Sequence, residues 1–264
     1  MNTAVIIEPR KIDKTASVIH NFQSILSKNE WNFVFYCGKD LKQYWEDKVS
    51  DIEIRELDVD NLRPSQYNDL LKSRSFWEEL TGEYILIFQL DTWLHPESNY
   101  HINDFIQREY SYLGGNMNWK WDEFVVLDKL NIQYNREMYG NFNGGLSLRK
   151  RNDMIRVIEE IPPLPTPDWW IIRKAFETPV PTMETIKIMA EDVYFTIGCH
   201  FLKLKVGDDE FSRNFARYCI HIEKPFGYHI SVPYPTVDPG QKKYLEELKM
   251  DCPGINCSPF YDSN

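Results

Sequence analysis

The sequence lacks the excess of positive charge that marks a nucleic-acid-binding protein. Its 264 residues include 30 Lys and Arg against 40 Asp and Glu, a formal net charge of −10. Affinity for nucleic acid comes from clustered basic side chains that neutralise phosphates. The composition therefore argues against a nucleic-acid partner, although acidic proteins still bind single anionic ligands through helix N-termini, one arginine or a metal.

Long apolar runs are also absent. No stretch approaches the roughly 18 apolar residues expected of a transmembrane helix, and residues 1–10 lack the basic start of a secretory signal. These features predict a cytoplasmic protein without a transmembrane segment. Cys252 and Cys257 are spaced so that a disulfide is possible, but in the cytosol we expect reduced thiols.

Several common catalytic motifs are missing. The sequence has no G-x-G-x-x-G fingerprint, no P-loop, no H-E-x-x-H and no G-x-S-x-G. Dinucleotide-dependent enzymes, P-loop ATPases, zinc proteases and α/β-hydrolases are therefore disfavoured.

The first 90 residues instead alternate short apolar strands with amphipathic helices. This order is typical of a parallel sheet covered by helices on both faces. The predicted strands are 3–8, 31–37, 52–57 and 84–88, and the predicted helices are 13–27, 41–48 and 65–80. The second half is less regular, with helices expected at 103–110, 151–160, 191–204 and 241–250 and extended segments at 112–115, 144–149 and 226–232.

Polar residues flank three of the predicted strands. Glu8-Pro9-Arg10 follows the first strand, Gln89-Leu90-Asp91 follows the fourth, and Asn143-Gly144-Gly145 precedes the fifth. Ligands of open parallel sheets bind just beyond the carboxyl ends of the strands, so we expect these segments to line one site. Each has a structural alternative when taken alone: Asp91 suits a turn or cap, and acidic residues favour the first turn of a helix.

Five segments taken together, in this order, resemble a known family. They are Val5–Arg10 (VIIEPR), Ile85–Asp91 (ILIFQLD), Gly140–Arg149 (GNFNGGLSLR), Glu191–Phe195 (EDVYF) and Pro225–His229 (PFGYH). Over residues 4–230 the chain resembles the glycosyltransferase-related proteins of the DUF5672 type, which are similar to GT-A enzymes that use nucleotide sugars.

The resemblance implies a fold and a domain plan. The expected fold is a GT-A-like, Rossmann-type α/β fold with a mostly parallel central sheet flanked by helices. We expect one domain over residues 1–264, with a nucleotide-binding half at about 1–95, an acceptor half at about 96–235, and a C-terminal helix and tail at 236–264.

The resemblance also implies a donor site with a metal ion. In GT-A enzymes a D-x-D motif holds Mn²⁺ or Mg²⁺ on the donor diphosphate; here Gln89 takes the place of the first Asp. Asp91 and His229 match the remaining metal ligands. A divalent cation stabilises charge on a nucleoside diphosphate leaving group. The expected donor-binding residues are Glu8, Pro9, Arg10, Gln89, Asp91, Asn143, Gly144 and Gly145.

Catalysis is expected from the acidic pair Glu191-Asp192. Asp192 is the candidate general base for an acceptor hydroxyl, with Glu191 as the alternative. A base in line with the donor predicts inversion, with retention as the less favoured alternative. Trp119 and Trp121 are candidates for stacking on an acceptor sugar, unless they form a Trp-rich loop packed on the core. The predicted function is a hexosyltransferase-like enzyme of glycan biosynthesis that uses a nucleotide sugar, expected to be a UDP-sugar, and a hydroxyl acceptor.

Two other functions remain open at this point. A nucleotidyltransferase shares the nucleotide-binding half, but usually has a glycine-rich basic loop where this chain has Glu8-Pro9-Arg10-Lys11. A non-catalytic glycan-binding module would suit the 8 Trp, 15 Tyr and 15 Phe and the incomplete D-x-D motif.

Overall fold

The computed structural model describes residues 1–26, 30–116, 142–168, 182–217 and 222–229. Its strands, in chain order, are β1 (Asn2–Glu8), β2 (Trp31–Cys37), β3 (Glu53–Glu56), β4 (Tyr84–Phe88), β5 (Thr92–Leu94), β6 (Tyr112–Asn116), β7 (Phe142–Lys150), β8 (Ala216–Arg217) and β9 (Gly227–His229). Six of these form the central sheet in the order β3-β2-β1-β4-β7-β6, and β5-β9-β8 form a smaller sheet.

Helices cover the central sheet. They are α1 (Lys14–Ile25), α2 (Lys42–Glu46), α3 (Pro64–Leu71), α4 (Arg74–Glu78), α5 (Ile102–Ile106), α6 (Arg151–Glu160), α7 (Met183–Lys187), α8 (Glu191–Phe201) and α9 (Asp209–Phe215). In the ranges above, no helix is both long and apolar enough to cross a membrane.

The core consists of two apolar layers, one on each face of the sheet. Strand β1 contributes to both, because successive side chains of a strand point to opposite faces. Ala4 and Ile6 pack with α1, while Val5 and Ile7 pack with α4, α6 and α8. All five residues of β4 are buried, because both faces of the sheet are covered at this strand. This explains its continuous apolar sequence.

Strand direction determines which chain segments meet. Strand β1 is parallel to β2 and β4, so their carboxyl ends share one edge of the sheet. Strand β7 is antiparallel to β4, with Leu146 opposite Phe88. The start of β7 therefore meets the end of β4, and this places Asn143, Gly144 and Gly145 at that same edge.

The small sheet adds one more segment to this edge. Thr92 pairs with His229 in the antiparallel ladder between β5 and β9. Because Thr92 immediately follows Asp91 in the chain, this pairing carries His229 to the end of β4.

The predicted elements differ from the structure in a few places. The helix expected over 65–80 is two helices, α3 and α4, because Ser73 adopts an extended backbone between them. The helix expected over 191–204 ends at Phe201. The helix predicted at 241–250, Cys252 and Cys257 lie outside the described residues.

Candidate functional site

A cleft of about 770 Å³ opens beyond the carboxyl ends of β1 and β4. It brings together all the predicted site residues that the structure describes. These are Glu8, Pro9, Arg10, Gln89, Asp91, Asn143, Gly144, Gly145, Glu191, Asp192 and His229. The predicted acceptor residues Trp119 and Trp121 lie outside the described part of the chain.

An ion pair follows β1 at one side of the cleft. The Nε and Nη2 atoms of Arg10 donate to the two carboxylate oxygens of Glu8, each over 2.7 Å. Glu8 is buried, whereas the Arg10 side chain is half exposed. The hydrogen bonds that Arg10 donates to Glu8 raise the pKa of Arg10, and the charge of Asp91 acts in the same direction. Arg10 is therefore a fixed positive charge at the rim of the cleft.

Asp91 and His229 form a second pair at the end of β4. The Nε2 atom of His229 lies 3.3 Å from Oδ2 of Asp91. Burial raises the pKa of the Asp91 carboxyl, but the neighbouring His229 opposes this and the pKa is lowered overall. Asp91 is thus ionised at neutral pH, and about a quarter of its side chain remains exposed.

Two glycines make room for the charged side chains. A Cβ atom added to Gly145 would lie 2.5 Å from Nε2 of His229 and 2.7 Å from Oε1 of Gln89. One added to Gly144 would collide with the carboxylate of Glu191. The side chain of Asn143 supports this turn, since its Oδ1 accepts a 2.8 Å hydrogen bond from the Gly145 amide.

The Asp91–His229 pair supplies a donor set that suits a hard divalent cation. A carboxylate oxygen and an imidazole nitrogen are acceptable to Mn²⁺, and the carboxylate is acceptable to Mg²⁺. Within the described ranges, no group of three or more His, Cys, Asp or Glu side chains forms a complete metal site. Among the described residues, this pair could therefore supply two side-chain ligands and not a complete coordination shell.

Glu191 is held by Arg149 in a buried ion pair. Nη1 of Arg149 donates to Oε2 of Glu191 over 2.5 Å, and Nη2 donates to Oε1 over 3.1 Å. Nε of Arg149 donates to Oγ of Ser147 over 2.9 Å. Burial lowers and the charge of Glu191 raises the pKa of Arg149, and the net direction is upward. Both carboxylate oxygens of Glu191 are thus committed to the guanidinium.

Asp192, the next residue, lies in the first turn of α8 with its side chain half-buried. Its Oδ1 accepts a 2.8 Å hydrogen bond from the amide of Val193. Burial and the neighbouring charge of Glu191 raise the pKa of Asp192 to about 6. The carboxyl is therefore ionised at neutral pH but more basic than an ordinary Asp.

Sequence reasoning missed several lining residues, including Lys14, Tyr67 and Asn68. Oδ1 of Asn68 accepts a 2.9 Å hydrogen bond from the Glu191 amide and so caps the start of α8. Arg149 was part of the motif but had no assigned role. The partners of Asn68 and Arg149 are distant in the sequence, so no local pattern indicated them.

A family profile described as "Protein of unknown function (DUF5672)" matches residues 51–229. The chain belongs to this family. The resemblance seen in the sequence is therefore confirmed at the family level. No curated protein matches the chain.

Two solved structures were compared with this fold. The apo form of mouse xyloside xylosyltransferase 1 superposes with a TM-score of 0.52 at 10% identity, covering 89% of this chain and 100% of that one. Residues 1–349 of S. aureus TarS give a TM-score of 0.45 at 14% identity, covering 96% and 65%. The first confirms the predicted fold class, a mostly parallel Rossmann-type sheet flanked by helices, as one that a glycosyltransferase adopts.

Proposed function

We propose that this protein is a glycosyltransferase that moves a sugar from a nucleotide sugar, with UDP as the expected nucleotide, to a hydroxyl acceptor. One observation carries the proposal: a single cleft at the strand ends holds the open Asp91–His229 pair together with Asp192, a carboxyl of raised pKa. The shared fold supports it, because ligands of such sheets bind at this edge.

The donor end of the cleft is assigned to Asp91 and His229. They would hold Mn²⁺ or Mg²⁺, which supplies charge stabilisation for the nucleoside diphosphate leaving group. Arg10 and Lys14 line the same cleft and add positive charge for the phosphates. Gly144 and Gly145 have no side chains, and this leaves room for Glu191 and for His229 at the same end of the cleft.

Asp192 is assigned as the general base. Its carboxylate takes the proton from the acceptor hydroxyl as that oxygen bonds to the anomeric carbon and the bond from this carbon to the diphosphate breaks. A base with a pKa near 6 is ionised at neutral pH and still accepts a proton well. Direct displacement of this kind inverts the anomeric carbon.

Glu191 receives a different role from the one expected of the acidic pair. Arg149 binds both of its carboxylate oxygens, so we assign Glu191 to holding α8 in place rather than to proton transfer. This choice within the pair favours Asp192 as the base.

A nucleotide-sugar hydrolysis panel tests the proposal. The full-length protein would be incubated with individual UDP-, GDP- and ADP-sugars, with Mn²⁺ or with EDTA, and release of the free nucleotide measured. We expect release from one class of donor, with UDP-sugars favoured, and a strong loss in EDTA. No release from any donor, combined with no thermal stabilisation by UDP and Mn²⁺, would favour the glycan-binding alternative.

A further inference from the structure

We infer that Lys72, with Asp69 and Asn68 beside it, is a positioning residue that fixes the location of Asp192, the base of the proposed transfer. The inference rests on that proposed function for its catalytic meaning. The structural evidence for it is a set of contacts between the end of α3 and the chain that leads into α8.

Lys72 is a buried lysine, with only 2% of its surface exposed. Its ammonium group donates three hydrogen bonds, all to backbone carbonyl oxygens: to Leu164 over 3.1 Å, to Lys187 over 3.2 Å and to Met189 over 3.1 Å. An ammonium has three N–H donors, so these carbonyls use all of them. The charge is therefore fully hydrogen-bonded by the backbone.

The carbonyls that Lys72 binds belong to two stretches of chain far apart in the sequence. Leu164 follows α6, while Lys187 and Met189 lie just before α8. The two stretches also bond directly, since the Leu164 amide donates to the Lys187 carbonyl over 3.0 Å. Met189 is only three residues before Asp192, so Lys72 restrains the backbone that leads to the proposed base.

Neighbouring residues extend the same connection. Oδ1 of Asp69 accepts a 2.7 Å hydrogen bond from the Thr166 amide and lies 3.8 Å from the ammonium of Lys72. Asn68 binds the Glu191 amide over 2.9 Å. The ammonium also faces the ring of Tyr194 on α8, 5.7 Å from its centroid. Three polar residues at the end of α3 thus hold the chain on both sides of α7 and the start of α8.

Burying a lysine side chain is unfavourable for the free energy of folding. Removing an ammonium from water is unfavourable, and an apolar side chain in a packed interior often stabilises a fold as well or better. The ammonium instead fixes the positions of backbone groups, because its three N–H donors determine where three carbonyl oxygens lie. That function suits a site in which a displacement of about 1 Å can reduce the rate about a hundredfold.

The test replaces Lys72 with Met, which keeps the length and apolar stem of the side chain and removes the charge. Lys205→Met is the matched control, since Nζ of Lys205 also donates to a backbone carbonyl, that of Arg108, but at an exposed site. Asp69→Asn is a milder second variant that retains the Lys72 ammonium. All are prepared as full-length protein with Mn²⁺.

Two readouts separate positioning from general stability. With the nucleotide sugar that the wild type hydrolyses fastest, we expect kcat to fall about tenfold or more in Lys72→Met while the donor KM changes less than about twofold. Without any substrate, carbon-13 NMR of Asp carboxyl groups, assigned with Asp192→Asn, reports the titration midpoint of Asp192. We expect that midpoint to move by about half a unit or more in Lys72→Met, less in Asp69→Asn, and not in Lys205→Met.

An unchanged Asp192 titration in Lys72→Met would overturn the inference. If Lys72→Met does not fold, an unchanged titration in Asp69→Asn would overturn it in the same way. If the wild type releases nucleotide from no donor, the proposed function fails, but the NMR titration still decides whether Lys72 positions Asp192.

Discussion

Two acid–base pairs contribute residues to the same cleft and differ in their exposure to solvent. The Arg149–Glu191 pair is buried: the two side chains are 0% and 5% exposed, and two hydrogen bonds join them. The Asp91–His229 pair is more open: the Asp91 side chain is 25% exposed, and Nε2 of His229 lies 3.3 Å from its Oδ2.

This difference in exposure separates residues that stabilise the structure of the site from residues that can contact a ligand. In the buried pair the guanidinium of Arg149 binds both carboxylate oxygens of Glu191, and disrupting it leaves an uncompensated buried charge. A partly exposed carboxylate retains lone pairs that a cation can bind. Asp192 belongs with the open groups because it is only half-buried and lines the cleft.

The largest expected effect is on catalysis in Asp192→Asn. This change keeps the shape and the hydrogen bond to Val193 but removes the base, so kcat should fall about 10²- to 10⁴-fold with donor affinity retained. In the wild type, kcat should rise with pH through about 6, where Asp192 loses its proton. Steady-state kinetics from pH 5 to 8 measure both effects. Wild-type turnover in Asp192→Asn would place this carboxyl outside the chemistry.

The next largest effect is on folding in Arg149→Met. Loss of the guanidinium leaves Glu191 buried without its partner, so the free energy of unfolding should fall by about 3–5 kcal/mol. Arg74→Met is the control, because Arg74 pairs with Glu78 at an exposed site and should cost less than about 1 kcal/mol. Urea denaturation measures both. If both variants lose the same small amount of unfolding free energy, the Arg149–Glu191 pair does not stabilise the fold.

A smaller effect is expected on ligand affinity in Asp91→Ala and His229→Ala. Each removes one ligand of the proposed cation, so the gain in UDP affinity from Mn²⁺ should fall about tenfold or more. Asp58→Ala, at an exposed carboxylate, is the control and should leave that gain unchanged. If His229→Ala instead lowers the melting temperature and keeps the full response to Mn²⁺, His229 is a structural histidine.

The smallest effect is a pH-dependent gain in stability in Asp192→Asn. The folded protein holds a proton on Asp192 up to about pH 6, whereas an unfolded Asp loses it near pH 4. Stability contributed by this group therefore falls as pH rises through that window and stays reduced above it. Asp192→Asn should be about 1–3 kcal/mol more stable than the wild type at pH 7.5 and no more stable at pH 4. Urea denaturation at both values measures this, and a gain at pH 4 alone would contradict the assignment.

Local sequence patterns predicted the strand ends of the cleft well. The apolar runs before Glu8 and Asp91 form β1 and β4, and their parallel register places both residues at one edge. Burial periodicity reports which residues face the core, and strand order follows from the alternation of strands and helices. Gly144 and Gly145 precede β7 and reach the same edge because β7 is antiparallel to β4, a strand direction that these two signals did not predict.

Long-range partners were not predictable in this way. Arg149 and Glu191 are 42 residues apart, and Lys72 lies 92 residues or more from its carbonyl partners. Nothing in a local pattern indicates which distant group satisfies a buried charge. The three-residue strand β9, which brings His229 to Asp91, is likewise too short for its apolar pattern to reveal a partner.

The most direct test of the account is the binding of UDP to the wild-type protein, measured by isothermal titration calorimetry with Mn²⁺ present and after its removal with EDTA. The account predicts that UDP binds in the cleft and that removing Mn²⁺ weakens its affinity about tenfold or more, because Asp91 and His229 hold the cation on the diphosphate. Absence of UDP binding in Mn²⁺, or the same affinity in both conditions, would contradict it.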